Sequence, residues 1–241
     1  MKYLSFILTP IFYICFGLIL LIFHPILVIS KLILSSKAYD QVVSFLNLML
    51  IKCLKILGAR YKFKGLKKIK SDGPVIFISN HQSMWDIPPF FWNYRSMRPK
   101  FIAKEELARF IPSISFNLKH GGSVAIDRKK PSEAVERIKA FAKRVRNHKY
   151  SICIFPEGTR SKDGRVKPFK LSGIEAILKE IPNATFVPVA IKNTRLIDNS
   201  GRFFKRLGVQ VTFTQLAPRT ISINSIESDL EAIRQEIAAN I

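Results

Sequence analysis

Residues 75–86 read VIFISNHQSMWD. The first five residues are almost all apolar, and three of them are β-branched, which predicts a strand, Val75–Ser79, that is buried on both faces. His81 then comes directly after the carboxyl end of that strand, where open α/β sheets carry their sites. Asp86 lies five residues further on and can fold back onto the imidazole if a turn intervenes. The sequence therefore predicts a histidine and a carboxylate side by side at a strand end.

Short β-type runs bounded by Gly, Pro and Asp recur along the rest of the chain. They predict further strands at residues 61–64, 101–103, 123–126, 151–155, 186–191 and 209–214. Helical stretches lie between them. The clearest covers residues 131–149, where apolar residues recur on one face, acidic residues occupy the early turns and basic residues the late ones. Strands that alternate with helices favour an α/β fold in which a mixed sheet is flanked by helices.

The N-terminal quarter of the chain has a different composition. Residues 3–34 are almost continuously apolar, about the length of a bilayer span. A second apolar helix is expected at residues 42–57, with Gly58 as its C-cap. We therefore expect a membrane-associating helical hairpin, residues 1–58, in front of a catalytic domain, residues 59–241. The pair could cross the bilayer or dip into one leaflet; a buried helical pair in a soluble core is the alternative. A cleaved signal peptide fits less well, because a single basic residue precedes the apolar stretch and no small-residue cleavage site follows it.

Positive charge and apolar character are segregated along the chain. The formal net charge is +22, although 48% of the residues are hydrophobic and the mean hydropathy is +0.13. Residues 1–58 carry five lysines and one aspartate, which leaves +18 for residues 59–241. Such a basic surface could attract nucleic acid, anionic lipid or an acidic carrier protein, and the apolar N-terminus favours lipid. The three cysteines lie in mostly apolar stretches without zinc-site spacing, so neither a disulfide framework nor a metal site is expected.

A second polar cluster also follows an apolar run. Residues 155–161 read FPEGTRS. A proline and Gly158 favour a loop there, which presents the carboxylate of Glu157, the hydroxyl of Thr159 and the guanidinium of Arg160 together. A guanidinium suits bidentate contact with phosphate. An ordinary turn with a solvated Glu–Arg pair is the alternative explanation for this segment.

Lys104 and Arg128 are two further basic candidates, because each follows a predicted strand. In a chain with 39 lysines and arginines a single one is usually a solvated charge, and it is the shared position at strand ends that favours anion binding. The histidine and aspartate have an ordinary explanation too, namely a capping aspartate beside a surface histidine. Ser83 would serve as the nucleophile of a covalent route, although no GxSxG elbow surrounds it.

Together these blocks resemble the glycerolipid acyltransferase family, and most of all its 1-acylglycerol-3-phosphate acyltransferases. The resemblance extends over about residues 60–215, and the blocks follow the order they have in the family. They are HX4D at residues 80–86, GxxxIDR at 122–128, FPEGTRS at 155–161 and a short proline-containing strand at 187–189. Ala125 is a departure, since members more often carry a larger Phe or Val there.

What the resemblance implies for the site is specific. It implies that His81 is the general base and that Asp86 orients it. Pro188 would shape the site without reacting. The implied substrate-binding residues are Lys104, Arg128, Glu157, Gly158, Thr159 and Arg160.

The implied reaction transfers a fatty acyl group from acyl-CoA or acyl-carrier protein to the 2-hydroxyl of lysophosphatidic acid. It gives phosphatidic acid in phospholipid biosynthesis, with no metal or bound cofactor. The FPEGTRS form favours a lysophospholipid acceptor over glycerol 3-phosphate. We expect membrane phospholipids as partners and the catalytic domain on the cytoplasmic side of a membrane, such as a bacterial inner membrane. The alternatives are another lysophospholipid or lipid acceptor and, more remotely, a membrane-tethered nucleic-acid-binding protein, for which the sequence shows no recognisable motif.

Overall fold

The computed structural model describes residues 2–199 and 203–241, and within them the chain forms a seven-stranded sheet and eight α-helices. The strands are β1 (Arg60–Lys64), β2 (Val75–Ser79), β3 (Pro99–Lys104), β4 (Val124–Ile126), β5 (Ser151–Ile154), β6 (Thr185–Lys192) and β7 (Gln210–Gln215). The helices are α1 (Lys2–Ile33), α2 (Ser36–Cys53), α3 (Ile87–Asn93), α4 (Ile114–His120), α5 (Pro131–His148), α6 (Leu171–Glu180), α7 (Thr194–Ile197) and α8 (Ile226–Ala239).

The sheet is mixed, as the sequence predicts. Its strand order is β1-β7-β6-β2-β5-β3-β4, and β6 and β7 pair in antiparallel fashion while the other neighbours are parallel. The carboxyl ends of β2, β3, β4, β5 and β6 therefore meet at one edge of the sheet. Every polar block singled out in the sequence follows one of these strands, so the topology gathers the blocks at that edge.

Two hydrophobic cores cover the two faces of the sheet. Phe77 of β2 faces the core that contains side chains of α1, α2 and α3. Its neighbours Ile76 and Ile78 face the core built with α5, α6 and α8. Because both faces are covered, all five residues of β2 are buried, which explains its continuous apolar sequence. The predicted α/β fold is confirmed.

The predicted helix over residues 42–57 is wrong at its start, whereas its predicted end at Leu57, with Gly58 as the cap, is confirmed. α2 already begins at Ser36, because Ser35 is its N-cap and accepts a hydrogen bond from the backbone N–H of Ala38. It ends at Cys53, and a 3₁₀ turn then leads to Gly58. That glycine has φ 68°, the left-handed conformation expected of a helix C-cap.

α1 packs against the rest of the protein along its whole length. Near its start Ser5 Oγ donates to the backbone carbonyl of Lys205 at 2.7 Å, and near its middle the carbonyl of Leu20 accepts from Ser113 Oγ at 2.6 Å. The other side of the helix exposes large apolar side chains at both ends and between them, including Ile7, Ile14, Leu18, Leu21, Ile29 and Leu32. Within the described residues, α1 is the helix long and apolar enough to cross a membrane.

α2 is tied to the sheet by buried charges. Asp40 accepts hydrogen bonds from Arg98 Nε at 2.6 Å and from Lys100 Nζ at 2.5 Å, and both cations lie over the ring of Tyr150 at 4.5 Å from its centroid. Burial lowers the pKa of Lys100, and Asp40 opposes that shift. The hydrophobic core on this face also runs without a break from α1 and α2 into the sheet. The boundary expected after residue 58 therefore falls at a turn of the chain and does not separate two cores.

Candidate active site

His81 and Asp86 form a hydrogen-bonded pair just beyond the end of β2. The distance from His81 Nδ1 to Asp86 Oδ2 is 2.7 Å. The same carboxylate oxygen accepts the backbone N–H groups of Gln82 at 2.7 Å and Ser83 at 2.9 Å. A short 3₁₀ turn, Met84–Asp86, brings the carboxylate back onto the loop, which is the turn that the spacing of the pair requires. Histidine and aspartate are thus adjacent, as the sequence predicts.

The geometry of this pair suits proton transfer. A carboxylate at Nδ1 selects the tautomer with its proton on that nitrogen and leaves the lone pair on Nε2. Asp86 is fully buried, and among the described residues its Oδ1 has no hydrogen-bond partner. Its charge is held on the imidazole side by the donors on Oδ2, where it can stabilise an imidazolium. The His81 side chain is 11% exposed, so a substrate can reach it.

The FPEGTRS loop holds the histidine from two sides. The ring of Phe155 stacks on the His81 imidazole with centroids 4.2 Å apart and 13° between the planes. Glu157 Oε1 accepts the backbone N–H of His81 at 2.7 Å, while the His81 carbonyl accepts the backbone N–H of Ser161 at 2.7 Å. The loop after β5 and the loop after β2 are therefore one connected unit.

Glu157 is a buried cross-link between loops. It is 3% exposed, and its second oxygen, Oε2, accepts the backbone N–H of Lys167 at 3.0 Å. Burial raises the pKa of this carboxyl group, and the hydrogen bonds from His81 and Lys167 oppose the shift. Both oxygens are engaged by backbone amides, so the structure gives Glu157 a positioning role. The acceptor contact implied by the resemblance stays a prediction.

Gly158, Thr159 and Arg160 form the tip of the same loop, where Thr159 and Arg160 are exposed. Gly158 has φ 72°, and a Cβ there would lie 3.3 Å from the side chain of Lys170. Lys167 Nζ donates to Thr159 Oγ1 at 3.1 Å and to the carbonyl of Arg160 at 2.8 Å. The Arg160 side chain is left to solvent, where a phosphate can meet it.

Arg128, which follows β4, contacts this loop. Lys104, at the end of β3, forms an ion pair with a residue next to its own strand instead. Arg128 Nη1 donates to the carbonyl of Gly158. Desolvation lowers the pKa of this guanidinium, Glu106 opposes the shift, and the nearby Arg160 adds to it. Two guanidinium groups that repel each other favour an anion between or beside them. Lys104, by contrast, forms an exposed ion pair with Glu106 at 2.8 Å.

Ser83 does not have the surroundings of a nucleophile. It is fully buried, its hydroxyl donates to Asp198 Oδ2 at 2.5 Å, and its oxygen accepts the backbone N–H of Trp85 at 3.2 Å. It serves as the N-cap of the turn that ends at Asp86. Its fixed hydrogen bonds argue against the covalent route.

Several residues of the site have roles that the sequence does not predict. Asn80 makes two hydrogen bonds of 2.8 Å to the backbone of Ile191 and so joins the ends of β2 and β6. Lys167 is one cation among many, and Asp198 comes from a part of the chain without a recognisable block. Asn80 and Asp198 have partners more than 100 residues away, and Lys167 meets the FPEGTRS loop through a turn without regular periodicity, so patterns in one sequence do not predict these contacts.

The fold and these linked loops define a protein of the acyltransferase class. The chain belongs to the Acyltransferase family, whose model matches residues 60–192.

Individual relatives resemble it over part of their length. It is 37% identical over 129 residues to a 1-acyl-sn-glycerol-3-phosphate acyltransferase of Cocos nucifera, covering 52% of this chain and 40% of that protein. It is 31% identical over 165 residues to one of Limnanthes douglasii, covering 68% of this chain and 56% of that protein. The chain thus spans about half the length of these relatives.

The fold is also similar to that of a solved structure. The crystal structure of the 1-acyl-sn-glycerophosphate acyltransferase PlsC of Thermotoga maritima superposes with a TM-score of 0.76. The superposition covers 99% of this chain and 97% of that one, at 22% sequence identity. The α1–α2 pair is therefore included in the shared fold.

Proposed function

We propose that this protein transfers a fatty acyl group from acyl-CoA or acyl-carrier protein to the 2-hydroxyl of lysophosphatidic acid, which gives phosphatidic acid for phospholipid biosynthesis. The observation that carries the proposal is the buried His81–Asp86 pair, oriented through Nδ1 and surrounded by a loop rich in cations. No metal or bound cofactor takes part in the proposed chemistry.

In the proposed reaction, His81 acts as general base and then as general acid. Nε2 takes the proton of the acceptor hydroxyl while the oxygen attacks the thioester carbonyl carbon. The carbonyl π electrons move to oxygen and give a tetrahedral intermediate. This collapses, the C–S bond breaks, and the leaving thiolate takes the proton from Nε2. An ester and a thiol result, and Asp86 stabilises the imidazolium between the two proton transfers.

The cations at the tip of the FPEGTRS loop support a phosphomonoester on the acceptor. Arg160 is solvent-exposed, and Arg128 contacts the same loop through the carbonyl of Gly158. Charge-assisted contacts from two guanidinium groups would place the acceptor phosphate at this loop, beside the His81 imidazole. Lys104, which faces Glu106, would join them only by giving up its ion pair.

The names of the relatives support the same acceptor, since both name a 1-acyl-sn-glycerol-3-phosphate. A different lysophospholipid is the second candidate, because the His81–Asp86 chemistry does not depend on the headgroup. A nucleic-acid partner is not proposed, since the basic loop tip lies beside a buried acid/base pair rather than on a nucleic-acid-binding motif.

The packing of α1 supports a membrane-bound position in a single leaflet. Its inner side is hydrogen-bonded to loops of the catalytic domain near its start and in its middle, so a bilayer-spanning α1 would draw those loops into the membrane. The apolar outer side would instead lie among acyl chains, with the basic surface at anionic headgroups. We place the catalytic residues on the cytoplasmic side, as in a bacterial inner membrane.

An acceptor panel tests the function. The full-length protein in detergent micelles should acylate lysophosphatidic acid with acyl-CoA, acyl-carrier protein or both, while His81→Ala should not. Lysophosphatidylcholine tests whether the acceptor needs a terminal phosphomonoester, and glycerol 3-phosphate tests whether the acceptor needs an acyl chain. Equal turnover of lysophosphatidylcholine would move the proposal to the second candidate. A wild-type protein that acylates none of these acceptors would refute the proposal.

Tags at the two chain termini test the membrane position. If α1 lies in one leaflet, both tags in sealed vesicles should be reached by protease from the same side. Protection of the N-terminal tag alone would mean that α1 spans the bilayer.

A further inference from the structure

The loop that carries His81 and Asp86 is held by a second carboxylate, Asp198, which directly follows α7. Asp198 Oδ2 accepts a hydrogen bond from Ser83 Oγ at 2.5 Å, and Oδ1 accepts one from Trp85 Nε1 at 3.2 Å. Ser83 and Trp85 are two of the four residues that separate the acid/base pair in the sequence. Asp198 therefore contacts the turn that brings Asp86 onto the imidazole.

Ser83 connects the two carboxylates. Its backbone N–H donates to Asp86 Oδ2 at 2.9 Å, while its hydroxyl donates to Asp198. The residue is fully buried, so water cannot replace either contact. A movement of Asp198 is thus transmitted through a single side chain to the oxygen that holds His81 Nδ1.

α1 reaches the same carboxylate through Lys205. Lys205 Nζ donates to Asp198 Oδ1 at 3.2 Å, and its side chain is 10% exposed. Its backbone is fixed on α1, because its N–H donates to Thr9 Oγ1 at 3.1 Å and its carbonyl accepts from Ser5 Oγ. The N-terminal turns of α1 therefore determine where this buried cation lies.

The aromatic residues of α1 support the same turn directly. The rings of Phe12 and Phe16 pack edge-on against the indole of Trp85, with centroids 5.6 and 5.5 Å away. Trp85 is 2% exposed, so the indole is fixed by α1 on one side and by its hydrogen bond to Asp198 on the other.

We propose that Asp198 is a positioning residue for acyl transfer, which fixes the turn between His81 and Asp86 and links that turn to the apolar helix α1. The kinetic test of this role rests on the proposed function, whereas the NMR test depends only on the geometry of the loop. An aspartate is required because three donors converge on it, the Ser83 hydroxyl, the Trp85 indole and the Lys205 ammonium. An asparagine has one acceptor oxygen and turns its NH₂ group toward at least one of these donors.

The kinetic test compares Asp198→Asn with a matched control, Asp229→Asn. Asp229 has similar partial exposure and accepts a hydrogen bond from Ser225 Oγ at 2.7 Å, but it lies on α8 and contacts none of the catalytic loop. In full-length protein, Asp198→Asn should lower kcat about tenfold, as expected for a catalytic group displaced by a fraction of an ångström, and change the acceptor KM less than twofold. Asp229→Asn should leave kcat and the acceptor KM within twofold of the wild-type values, while its Tm falls by about as much as that of Asp198→Asn.

A double-mutant cycle and NMR complete the test. Adding Ser83→Ala to Asp198→Asn should reduce kcat little further, because both act through one path. The Trp85 indole N–H and the His81 ring resonances should both shift in Asp198→Asn and not in Asp229→Asn. This readout needs no turnover, so it decides the positioning role even if lysophosphatidic acid is not the substrate.

Two results would overturn the inference. The first is a His81 ring resonance that is unchanged in Asp198→Asn. The second is a loss of kcat that follows Tm equally in the Asp198 and Asp229 variants, which would make Asp198 a contributor to stability alone.

Discussion

Glu157→Gln tests whether the carboxylate of the FPEGTRS loop positions His81 or contacts the acceptor. In the structure its two oxygens accept separate backbone N–H groups, from His81 at 2.7 Å and Lys167 at 3.0 Å. Glutamine keeps one acceptor oxygen and turns an NH₂ group toward the other amide. Because the site is 3% exposed, water cannot take the lost place.

The size of the effect follows from that unpaired donor. A buried backbone N–H without a partner costs about 1–3 kcal/mol, which corresponds to a fall in Tm of several degrees for a chain of this length. If the loop relaxes to relieve the conflict, His81 moves with it, and a displacement of about 1 Å costs roughly 10²-fold in rate. We expect kcat to fall by about 10- to 100-fold while the acceptor KM changes less than about threefold.

Steady-state kinetics with lysophosphatidic acid and denaturation of the same preparations measure these quantities. Glu136→Gln is the matched control, because Glu136 is an exposed glutamate on α5 whose ion pair with Lys139 contributes at most about 1 kcal/mol. The positioning role would be refuted if Glu157→Gln raised the acceptor KM tenfold at unchanged kcat, since that pattern belongs to a residue that binds the acceptor.

Three further sets of variants test other parts of the structure. His81→Ala should lower kcat by about 10²- to 10⁴-fold without unfolding the protein. Asp86→Asn should also lower kcat, and the double variant should be little worse than His81→Ala. More than a tenth of wild-type turnover in His81→Ala would refute the general-base assignment. Arg160→Ala should mainly raise the KM for lysophosphatidic acid, by the loss of about 1.5–3 kcal/mol of charge-assisted contact; a KM change for the acyl donor instead would move the residue to the donor site. Asp40→Asn should cost about 3–5 kcal/mol in urea unfolding, because the buried Lys100 and the partly buried Arg98 lose their partner, and an unchanged midpoint would contradict this. The pKa of Lys100 in the folded chain lies below its ordinary 10.5, so the unfolded chain binds more protons at this residue and the free energy of unfolding rises with pH. Without Asp40 the pKa of Lys100 falls further and this rise is larger. The difference in stability between wild type and Asp40→Asn should therefore become smaller as the pH approaches 10.5.

The parts of the fold that local sequence determines could be predicted, and the long-range contacts could not. β2 is found where its apolar run predicts it, since a strand covered on both faces has few other ways to hide five such residues. The pair His81 and Asp86 is also local, because a five-residue separation and one turn bring the two side chains together. Asp198 meets Ser83 from 115 residues away, and no period or spacing in one sequence records that contact.

The start of α2 shows a different limit. Apolar periodicity begins at about residue 42, but the helix starts at Ser36, where the capping serine before it and the buried Asp40 are polar. Asp40 is accommodated inside the helix because its carboxylate pairs with Arg98, directly before β3, and with Lys100 of β3. Both partners lie outside the segment, so the segment's own sequence does not predict them. Tertiary charge pairing thus overrides the hydrophobic pattern at this point.

In the proposed function, proton transfer and phosphate recognition would take place at different depths of one loop system. Asp86 and Glu157 are buried, and they hold His81 by its ring and by its backbone. Arg160 and Arg128 remain at the surface, where a dianion can exchange with water before it is bound. Because the same loop supplies the buried glutamate and the exposed guanidinium, the proposed function would bring a phosphate bound at the tip close to the imidazole. The short distance along the chain from Glu157 to Arg160 would then couple acceptor binding to the base that activates the acceptor.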